Sequence, residues 1–538
     1  DATNTQAKMI YDINLRVSPK TAATPDLLRP EIEKAIGTVP TTWRIRSRSI
    51  DARQRRVVVN LRVEAAAGEP LPELFRPIEL KTVPADARQV VIVGAGPAGL
   101  FAALRAVEKG FKPILLERGK DVDARRLDIA DISRKGIVDS DSNYCFGEGG
   151  AGAYSDGKLY TRSKKRGPVR EILQVLVQFG ASSDILVDAH PHIGSDKLPG
   201  VIRSIREAIR GAGGEVHFGS KVTELLIGDN RAEGVRLEDG REFRGPVVLA
   251  TGHSARDVYR SLHSQGVRLE AKGLAMGVRL EHPQEVIDRI QYHNPKGRGD
   301  YLPAAEYSFT AQVGGRGVYS FCMCPGGVIV PSASGPDQNA VNGMSASARS
   351  GSRANSGMVV EVHPEDFPEF ASAGELCMLE LQESLERNFY QAAGKSLRAP
   401  AQRMTDFVNG RVSTSVEPSS YPCGVMSLPV HFLLPPQISD RLREGFRIFG
   451  RRAKGFLTPQ ATVVGLESRT SSPVRIPRGE DGQHIEIKNL YPVGEGAGYA
   501  GGIVSAAIDG RNAIDQLTVE SREFSDDTEH PESLSFQL

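Results

Sequence analysis

Runs of apolar residues separated by polar and glycine-rich turns recur along the chain. Residues 90–93 form an uninterrupted apolar run, which is typical of a strand buried on both faces of a parallel sheet. A glycine-rich turn, a helical pattern ending near residue 109 and a second apolar run at residues 113–116 follow it. The same alternation of apolar strand patterns, turns and helical patterns recurs over residues 201–250 and 485–517. The pattern predicts an α/β fold with a Rossmann-like domain assembled from discontinuous segments.

The remaining segments have different patterns of apolar and polar residues. Before residue 66, strand patterns surround one helical pattern, which predicts a small α/β domain, and residues 65–84 contain four prolines typical of a linker. The middle of the chain mixes strands with loops rich in glycine, serine and asparagine. We therefore expect an N-terminal α/β domain and linker (1–87), a cofactor-binding domain in two parts (88–270 and 446–518), an inserted mixed α+β substrate or cap domain (271–445) and a disordered tail (519–538).

Composition narrows the class of protein. The 67 Lys and Arg residues and 66 Asp and Glu residues leave a net charge of +1, so the bulk charge attracts neither nucleic acid nor an anionic membrane. No stretch reaches the ~18 uninterrupted apolar residues of a membrane-spanning helix. Five scattered cysteines favour a reducing compartment over a disulfide framework. We expect a cytoplasmic enzyme without a membrane span, and its oligomeric state stays open.

The first apolar run leads into the pattern Gly-x-Gly-x-x-Gly, formed by Gly94, Gly96 and Gly99. The first glycine permits a tight turn, the second lets the backbone approach a pyrophosphate, and the third lets the following helix pack closely on the sheet. Glu117 ends the second apolar run, where its carboxylate can accept hydrogen bonds from both ribose hydroxyls and repel a 2′-phosphate. Strand, helix, second strand and acid together predict a dinucleotide site.

Two distant segments extend this site. Residues 247–252 form a strand that runs into the turn Ala-Thr-Gly, and residues 491–502 form a strand, a glycine cluster and the start of a helix. This arrangement resembles the two-dinucleotide-fold flavoproteins related to glutathione reductase, in which the corresponding segments jointly enclose FAD. FAD is longer than NAD, and a second glycine turn at a helix N-terminus would stabilise the electron-rich edge of the reduced flavin. We therefore expect FAD as the cofactor.

Further motifs narrow the resemblance to a family of uncharacterised bacterial FAD-dependent dehydrogenase-like proteins. They are Cys-Phe-Gly-Glu-Gly-Gly-Ala-Gly at 145–152, Ser-Asp-Gly-Lys at 155–158, Ala-Thr-Gly-His-Ser-Ala-Arg-Asp at 250–257, Phe-Cys-Met-Cys-Pro-Gly-Gly at 321–327 and Glu-Ser-Arg-Thr-Ser-Ser-Pro-Val-Arg at 467–475. The broader superfamily places Gly-Asp near the ribityl chain, whereas this chain has Gly494-Glu495. The cofactor-binding residues expected from motif and resemblance are Gly94, Gly96, Pro97, Ala98, Gly99, Glu117, Arg118, Gly149, Gly150, Ala151, Gly152, Thr251, Gly252, Gly494, Glu495, Gly496, Gly501, Gly502 and Ile503.

The cysteines give two different expectations. Disulfide reductases of the superfamily carry Cys-x-x-x-x-Cys, but Cys145 has Gly150 at the partner position, so we interpret Cys145 as a packing residue. Cys322 and Cys324 would point the same way on a regular strand, where a disulfide between them would be strained. They are candidates for flavin-facing redox thiols, with buried packing as the alternative. No histidine cluster accompanies them, so we predict no metal site.

Three further residues are catalytic candidates. His253 follows the Ala-Thr-Gly turn at the ligand-binding edge of an α/β sheet and suits proton transfer, although a structural hydrogen bond is the alternative. Arg469 and Arg475 flank a loop rich in hydrogen-bond donors and could hold a carboxylate or phosphate of a substrate. A salt bridge to Glu467 or an ordinary surface charge would explain the two arginines equally.

The N-terminal domain carries Arg44, Arg46 and Arg48 at alternate positions of one predicted strand, hence on one face. Such a face could meet RNA phosphates or an acidic partner, and a solvated strand face is the alternative. Trp43 is the one aromatic residue nearby, so base stacking has little support. Nucleic acid is therefore not an expected partner.

These observations predict an FAD-dependent, dehydrogenase-like oxidoreductase. Hydride would pass between flavin N5 and a small or lipid-like organic substrate held under residues 271–445. A second Gly-x-Gly-x-x-Gly followed by a strand and an acid is missing, so NAD(P)H would act only as a transient electron partner. Two alternatives stay open: a flavin-dependent RNA-modifying enzyme and a non-catalytic flavin-binding protein.

Overall fold

The computed structural model describes residues 9–526 except 55, 69 and 161–166, with side chains described up to residue 519. Strands β1 to β22 are, in order, Met9–Val17, Thr42–Asp51, Val58–Ala67, Gln89–Val93, Lys112–Leu116, Glu215–His217, Val222–Gly228, Arg231–Leu237, Glu242–Arg244, Val247–Leu249, Glu270–Ala271, Leu274–Pro283, Thr310–Val313, Arg316–Cys324, Val328–Pro331, Val341–Met344, Arg353–Val362, Ala399–Arg403, Val425–Ser427, Thr462–Glu467, Val474–Arg475 and Leu490–Pro492. Helices α1 to α13 are Pro19–Ala23, Pro25–Ile36, Pro97–Glu108, Val122–Lys135, Val169–Gln178, Leu198–Gly211, Arg256–Ser264, Gln284–Tyr292, Cys377–Ala392, Met404–Asn409, Val430–Leu433, Pro436–Arg452 and Ile503–Asp526.

The N-terminal domain is a three-stranded antiparallel sheet in the order β1-β3-β2. Helix α2 buries Leu28 and Ile32 in a core shared with Leu61 and Val63 of β3. These apolar residues recur at helical spacing in α2 and at alternate positions in β3, so each element presents one apolar face to the other. The small α/β unit therefore has the elements that its sequence predicts.

A five-stranded parallel sheet in the order β22-β10-β4-β5-β6 forms the centre of the molecule. Along β4, Val90 and Ile92 face the core that contains helices α3, α6 and α13, while Val91 and Val93 face the core beneath the β7-β8-β9 sheet. Apolar packing on both faces explains why the strand is a bare apolar run. The predicted α/β fold with a Rossmann-like domain of discontinuous segments is confirmed.

The inserted domain is built on a seven-stranded mixed sheet in the order β13-β14-β17-β12-β20-β18-β19. Its core includes Phe446 and Phe449 of α12, and β20 pairs with both β12 and β18. The predicted domain boundary at residue 445 therefore differs from the structure, in which the sheet continues to Glu467. The boundary was predicted too early because residues 462–467 form an apolar strand like those of the central sheet. Only the pairing of this strand with β12 and β18 shows that it belongs to the inserted domain.

The last helix also differs from its prediction. Helix α13 continues to Asp526, so residues 519–526 of the predicted tail are helical, and the rest of that tail lies outside the described residues. Within the described part of the chain, no helix combines the length and apolar character required to cross a membrane.

Candidate functional site

A first cavity opens at the carboxyl edge of the central sheet, where β4, β10 and β22 end side by side. It encloses about 990 Å³, including its open mouth. Three loops that are far apart in the sequence therefore surround one space. The sequence-predicted residues that line it are Gly94, Gly96, Pro97, Ala98, Glu117, Arg118, Gly150, Ala151, Gly152, Thr251, Gly252, His253, Gly494, Glu495 and Ile503.

The three glycines of the first turn have different physical roles. A Cβ on Gly94 would lie 2.7 Å from the Ala250 carbonyl oxygen, and the φ of Gly94 is +103°, so this position requires glycine. A Cβ on Gly99 would lie 1.9 Å from the Gly94 carbonyl oxygen, so Gly99 lets helix α3 pack against the turn. Gly96 has open space beyond its Cα and caps the N-terminus of α3, ahead of Pro97. Gly96 is thus the glycine that leaves room for a ligand.

Glu117 lines the first cavity but is already engaged by the protein. Its Oε2 accepts a hydrogen bond from the Ala95 amide (2.8 Å), and its Oε1 accepts from the amides of Gly119 (2.9 Å) and Gly147 (3.0 Å). A carboxylate has about four acceptor positions, so about one is left for a ligand. Glu117 therefore ties three loops together, and the expected pair of bonds to both ribose hydroxyls is reduced to about one.

Two predicted cofactor-binding glycines support the cavity wall from behind. The Gly149 amide donates to the Ala95 carbonyl at 2.8 Å, and a Cβ on Gly149 would meet Ile202 at 2.4 Å. A Cβ on Gly496 would lie 1.9 Å from the Thr251 carbonyl oxygen. Neither residue lines the first cavity; both permit close contact between loops that do.

Arg118 lies on the wall of the first cavity between two carboxylates. Its guanidinium donates to Asp141 (2.8 Å) and Asp257 (2.9 Å) and stacks over Phe146 with 4.4 Å to the ring centroid. These contacts fix the side chain on the cavity wall, where a cofactor-binding residue is expected.

His253 and Glu495 meet where the first cavity ends, with 3.6 Å between His253 Nε2 and Glu495 Oε2. Burial, reinforced by Arg469 and Arg256, lowers the pKa of His253 to about 3, so the imidazole is neutral at physiological pH. Burial raises the pKa of Glu495 to about 7. The expected proton-transfer role at neutral pH therefore suits Glu495 better than His253.

The first cavity fits FAD by its own chemistry. Gly96 and Gly252 have open space beyond Cα, and neighbouring glycine and alanine residues leave backbone amides accessible to phosphates. The Nδ1 of His253 is buried without a hydrogen-bond partner in the described structure. Helix α3 begins at the cavity and directs its positive N-terminal end towards it.

Arg469 is not placed to hold a substrate. It is 5% exposed, and its guanidinium bonds to the Glu386 carboxylate (2.9 Å), Ser334 Oγ (2.7 Å) and Gln338 Oε1 (2.7 Å). Glu467, the partner considered from sequence, instead contacts Arg279 at 3.2 Å. The structure gives no support to the substrate-binding hypothesis for Arg469, because a carboxylate 83 residues away already pairs with its guanidinium.

Arg475 does not line the first cavity. Its side chain is 44% exposed, lies 3.8 Å from Glu270, and its guanidinium carbon is 5.7 Å from the Tyr499 ring centroid. The structure therefore places Arg475 at the surface, in agreement with the alternative of an ordinary surface charge.

A second cavity, which encloses about 2060 Å³ including its open mouth, lies between the central sheet and the inserted domain. It adjoins the first cavity, because Ile503 lines both, and it includes the predicted Gly501 and Gly502, which have open space beyond Cα. Its wall includes Lys158, Tyr160, His190, Glu306, Cys322, Arg349 and residues 498–505.

Several charged residues of the second cavity had no signal in the sequence. Arg349 bonds to buried Asp156 through Nε at 3.0 Å, and His190 contacts Glu306. Burial opposes ionisation of Glu306, but the hydrogen bond from His190, helped by Lys158, lowers its pKa to about 2. Lys158 belongs to the motif at 155–158 that carries the family resemblance, and this motif was the one indication in the sequence of a functional role for it. Arg349, His190 and Glu306 come together only in the folded protein.

Cys322 and Cys324 depart from the regular strand assumed for them. Strand β14 contains a bulge between Phe321 and Cys324, and Cys322 has a φ of +49°. The two side chains therefore do not follow the alternation of a flat strand: Cys322 reaches the second cavity, whereas Cys324 is fully buried. Among the described residues, His, Cys, Asp and Glu side chains form no group of three that could hold a metal ion.

The N-terminal arginines are paired with carboxylates. Arg44 and Arg46 both contact Glu64, at 2.7 and 3.3 Å, and Arg48 contacts Asp188 at 2.6 Å. Arg48 also contacts Asp184 at 3.3 Å, so three carboxylates offset the three arginines, and the strand face gives no support to an RNA-binding surface.

Comparison with known proteins agrees with the geometry. Residues 273–470 match a family model described as FAD-dependent protein, C-terminal domain-like, residues 89–127 match a model described as FAD binding domain, and residues 9–66 match a domain of unknown function. The FAD binding domain match covers the first glycine turn, and the cofactor of the chain is FAD.

An uncharacterized protein of Clostridium beijerinckii is 42% identical over 431 residues, which cover 79% of this chain and 80% of that protein. The FAD-dependent monooxygenase nodY2 of Hypoxylon pulicicidum is 29% identical over 206 residues, 33% of this chain and 41% of that protein. The crystal structure of a geranylgeranyl bacteriochlorophyll reductase-like protein from Thermoplasma acidophilum has a TM-score of 0.34 and 14% identity, with 82% of this chain and 80% of that chain covered. The chain therefore belongs to the family of FAD-dependent proteins that includes the uncharacterized protein of Clostridium beijerinckii.

Proposed function

We propose that the chain is an FAD-dependent oxidoreductase whose small organic substrate binds in the second cavity. The observation that carries this proposal is that Ile503 belongs to the walls of both cavities, which therefore adjoin. A molecule in the second cavity would lie beside the segment 498–503, where the first cavity ends. Substrate and cofactor would then meet without any large movement of the chain.

The chain's own residues would bind and orient the cofactor. Gly96 and the N-terminus of α3 would receive the pyrophosphate, Glu117 would offer its remaining acceptor position to the ribose, and Gly252 and Gly494 would complete the wall. When bound, FAD supplies the two-electron chemistry, which in a dehydrogenase-like reaction is hydride transfer.

Glu495 is the group we propose to exchange a proton during the reaction. It lies at the junction side of the first cavity, and its pKa of about 7 lets it hold or release a proton near neutral pH. His253, neutral and 3.6 Å away, would act as its hydrogen-bond partner and as a positioning residue.

Lys158 is the side chain we propose to bind a carbonyl or carboxylate oxygen of the substrate. Asp156 and Arg349 bond to each other, and Glu306 is engaged by His190, so their charges are already matched. Lys158 has Asp156 at 3.8 Å as its contact, too long for a hydrogen bond, and it lines the second cavity. Its ammonium group therefore has hydrogen bonds to offer.

An anaerobic bleaching screen tests this proposal. The purified holoprotein is mixed with NADH, NADPH and a panel of hydroxy acids, amines, alcohols and unsaturated acids, and flavin absorbance is followed. We expect bleaching by at least one compound with an oxygen that Lys158 can bind, and at least tenfold weaker saturation in Lys158→Met, about 1.4 kcal/mol. Lys20→Met, an exposed lysine on α1, serves as the matched control. Bleaching by NAD(P)H alone would identify it as the electron donor.

If no compound bleaches a flavin that photoreduces and reoxidises normally, the oxidoreductase proposal is contradicted in favour of a non-catalytic flavin protein. Equal saturation in Lys158→Met and in the unaltered chain would overturn only the role given to Lys158.

A further inference from the structure

The Cys322-Met323-Cys324 segment occupies an unusual place in the wall of the second cavity. The bulge in β14 puts Cys322 in the left-handed backbone region, which a non-glycine residue adopts at a cost. Cys322 is partly exposed to the cavity, while Cys324 and Met323 are buried. One thiol is thus accessible to a small molecule, and the other is buried and donates to the Cys322 carbonyl oxygen at 3.4 Å.

A buried cation lies beside both cysteines. Arg279 of β12 is fully buried, and its Nη2 donates to the Cys322 carbonyl at 2.6 Å and lies 3.3 Å from Cys324 Sγ. Its Nη1 contacts Glu467 at 3.2 Å. A Cβ on Gly343 would lie 2.2 Å from Arg279 Nη2, so the guanidinium occupies space that glycine leaves free.

The two thiols differ in acidity. A hydrogen bond from Cys324, with help from Lys158 and Arg279, lowers the pKa of Cys322 to about 6, against burial and the nearby charge of Asp156. The same hydrogen bond and burial raise the pKa of Cys324. At neutral pH the accessible sulfur is therefore a thiolate and the buried one a thiol, the division of roles required for thiol–disulfide exchange.

We propose that Cys322 and Cys324 form a redox-active dithiol site that reduces small disulfides entering the second cavity. Cys322 thiolate attacks one sulfur of the disulfide, which breaks its S–S bond and releases one thiolate. Cys324 then gives up its proton and attacks Cys322 Sγ, which releases the second thiolate and leaves a Cys322–Cys324 disulfide. The two cysteines lose two electrons and the small disulfide gains them. The step needs no flavin, so it stands or falls separately from the proposed function.

Glutathione disulfide is the probe for the test. The full-length holoprotein is incubated with it, and remaining thiols are blocked with N-ethylmaleimide. The mass of the tryptic peptide spanning residues 317–349, which contains both cysteines, is then measured. We expect the unaltered chain to yield an unlabelled peptide lighter by two hydrogen atoms. Cys324→Ser should accumulate a glutathione adduct at Cys322, and Cys322→Ser should yield neither product. Cys423→Ser, which removes another partly exposed cysteine, should behave as the unaltered chain.

Alkylation kinetics give a second readout that needs no variant to fold. The rate at Cys322 should be half-maximal near pH 6. The charged and titratable groups that face Cys322 are Cys324, Lys158, Arg279, Asp156, Glu467 and Glu495. Burial raises the pKa of Cys423, so at pH 7 the thiolate fraction is larger at Cys322 and we expect Cys322 to be labelled faster than Cys423. Full labelling of both cysteines after glutathione disulfide treatment, or a rate at Cys322 equal to that at Cys423, would overturn the proposal.

Discussion

At the residue scale, the chemistry of the site depends on side chains whose ionisation is set by burial. Glu495 and His253 lie together at the end of the first cavity, and burial shifts their pKa values in opposite directions, to about 7 and about 3. Both shifts favour the neutral form, because a buried site disfavours charge. Near neutral pH this pair therefore changes charge through Glu495 alone.

The visible spectrum of the bound flavin should report this ionisation. Below about pH 7 Glu495 is protonated and above it carries a negative charge. A charge that appears on the cavity wall perturbs the absorbance of the holoprotein, so we expect a spectral transition with a midpoint near pH 7. Glu495→Gln should abolish the transition and His253→Asn should keep it. A transition that persists unchanged in Glu495→Gln would contradict the assignment.

Some single residues of the site could be predicted from the sequence, and others could not. The φ of Gly94 and the contact of Gly99 with the Gly94 carbonyl are local features, so the motif was sufficient to predict both glycines. The approach of Gly94 to Ala250 is a tertiary contact that the motif does not show. The partner of Arg469 could not be predicted, because Glu386 lies 83 residues away on α9 and reaches Arg469 only through the packing of α9 beside β20. The pKa of Cys322 is lowered first by Cys324 and then by Lys158 and Arg279, which lie 164 and 43 residues away in the chain and come close only in the folded protein.

At the element scale, the strand–turn–helix unit of β4 and α3 is the part of the fold that most directly shapes the cofactor site. Gly96 is its one motif glycine with free space beyond Cα, and its φ of −75° is accessible to any residue. The chain therefore has no conformational need for glycine there, whereas Gly94 and Gly99 are constrained by contacts with backbone oxygens. The role of Gly96 is to leave room for a ligand.

Gly96→Ala should therefore separate folding from cofactor binding. A methyl group would project into space otherwise open to a pyrophosphate, so we expect FAD affinity to fall at least tenfold, about 1.4 kcal/mol, with little change in the thermal unfolding of the apoprotein. Gly200→Ala is the matched control, because that position also has open space beyond Cα but lies on α6 away from the cavity. Fluorescence titration with FAD measures the affinity of both variants for the cofactor. Equal affinity in the two variants would contradict the role of Gly96.

Elements formed by local patterns were predicted well, and irregular ones were not. The bare apolar run of β4 marks a strand packed on both faces, and the structure confirms it. The bulge in β14 depends on the register with β17, so no local pattern announces it. Strand β20 likewise resembles a central strand, and its pairing with β12 places it in the other sheet.

At the scale of the whole molecule, a buried charge network joins the central and inserted domains. Glu386 of α9 accepts hydrogen bonds from Arg256 of α7 and from Arg469, which follows β20. Burial opposes ionisation of Glu386, but the two arginines hold its pKa below the usual range. The network fixes the inserted domain over the central sheet and thereby keeps the second cavity beside the first.

Removing the charge should weaken this junction. Glu386→Gln leaves two buried arginines without a counter-charge, so we expect the free energy of unfolding to fall by about 3 kcal/mol near neutral pH. Because the pKa of Glu386 is lowered in the folded state, its contribution is complete above the unfolded-state pKa and is lost as pH falls towards the folded-state value. The difference between the two proteins should therefore shrink in acid. Urea unfolding at several pH values measures it.

Glu380→Gln is the control for that measurement, since Glu380 lies on the same helix but is 41% exposed and pairs with Arg260. We expect it to change the free energy of unfolding by about 0.5 kcal/mol or less. Similar losses in both variants would show that the network does not hold the domains together.

The most direct test of the account is the flavin content of the purified full-length chain. Three distant loops line one cavity, so we expect one FAD per chain after reconstitution and removal of unbound small molecules. Heating should release this FAD intact, and its mass identifies it. Release of flavin mononucleotide, or failure of the folded chain to retain any flavin, would contradict it.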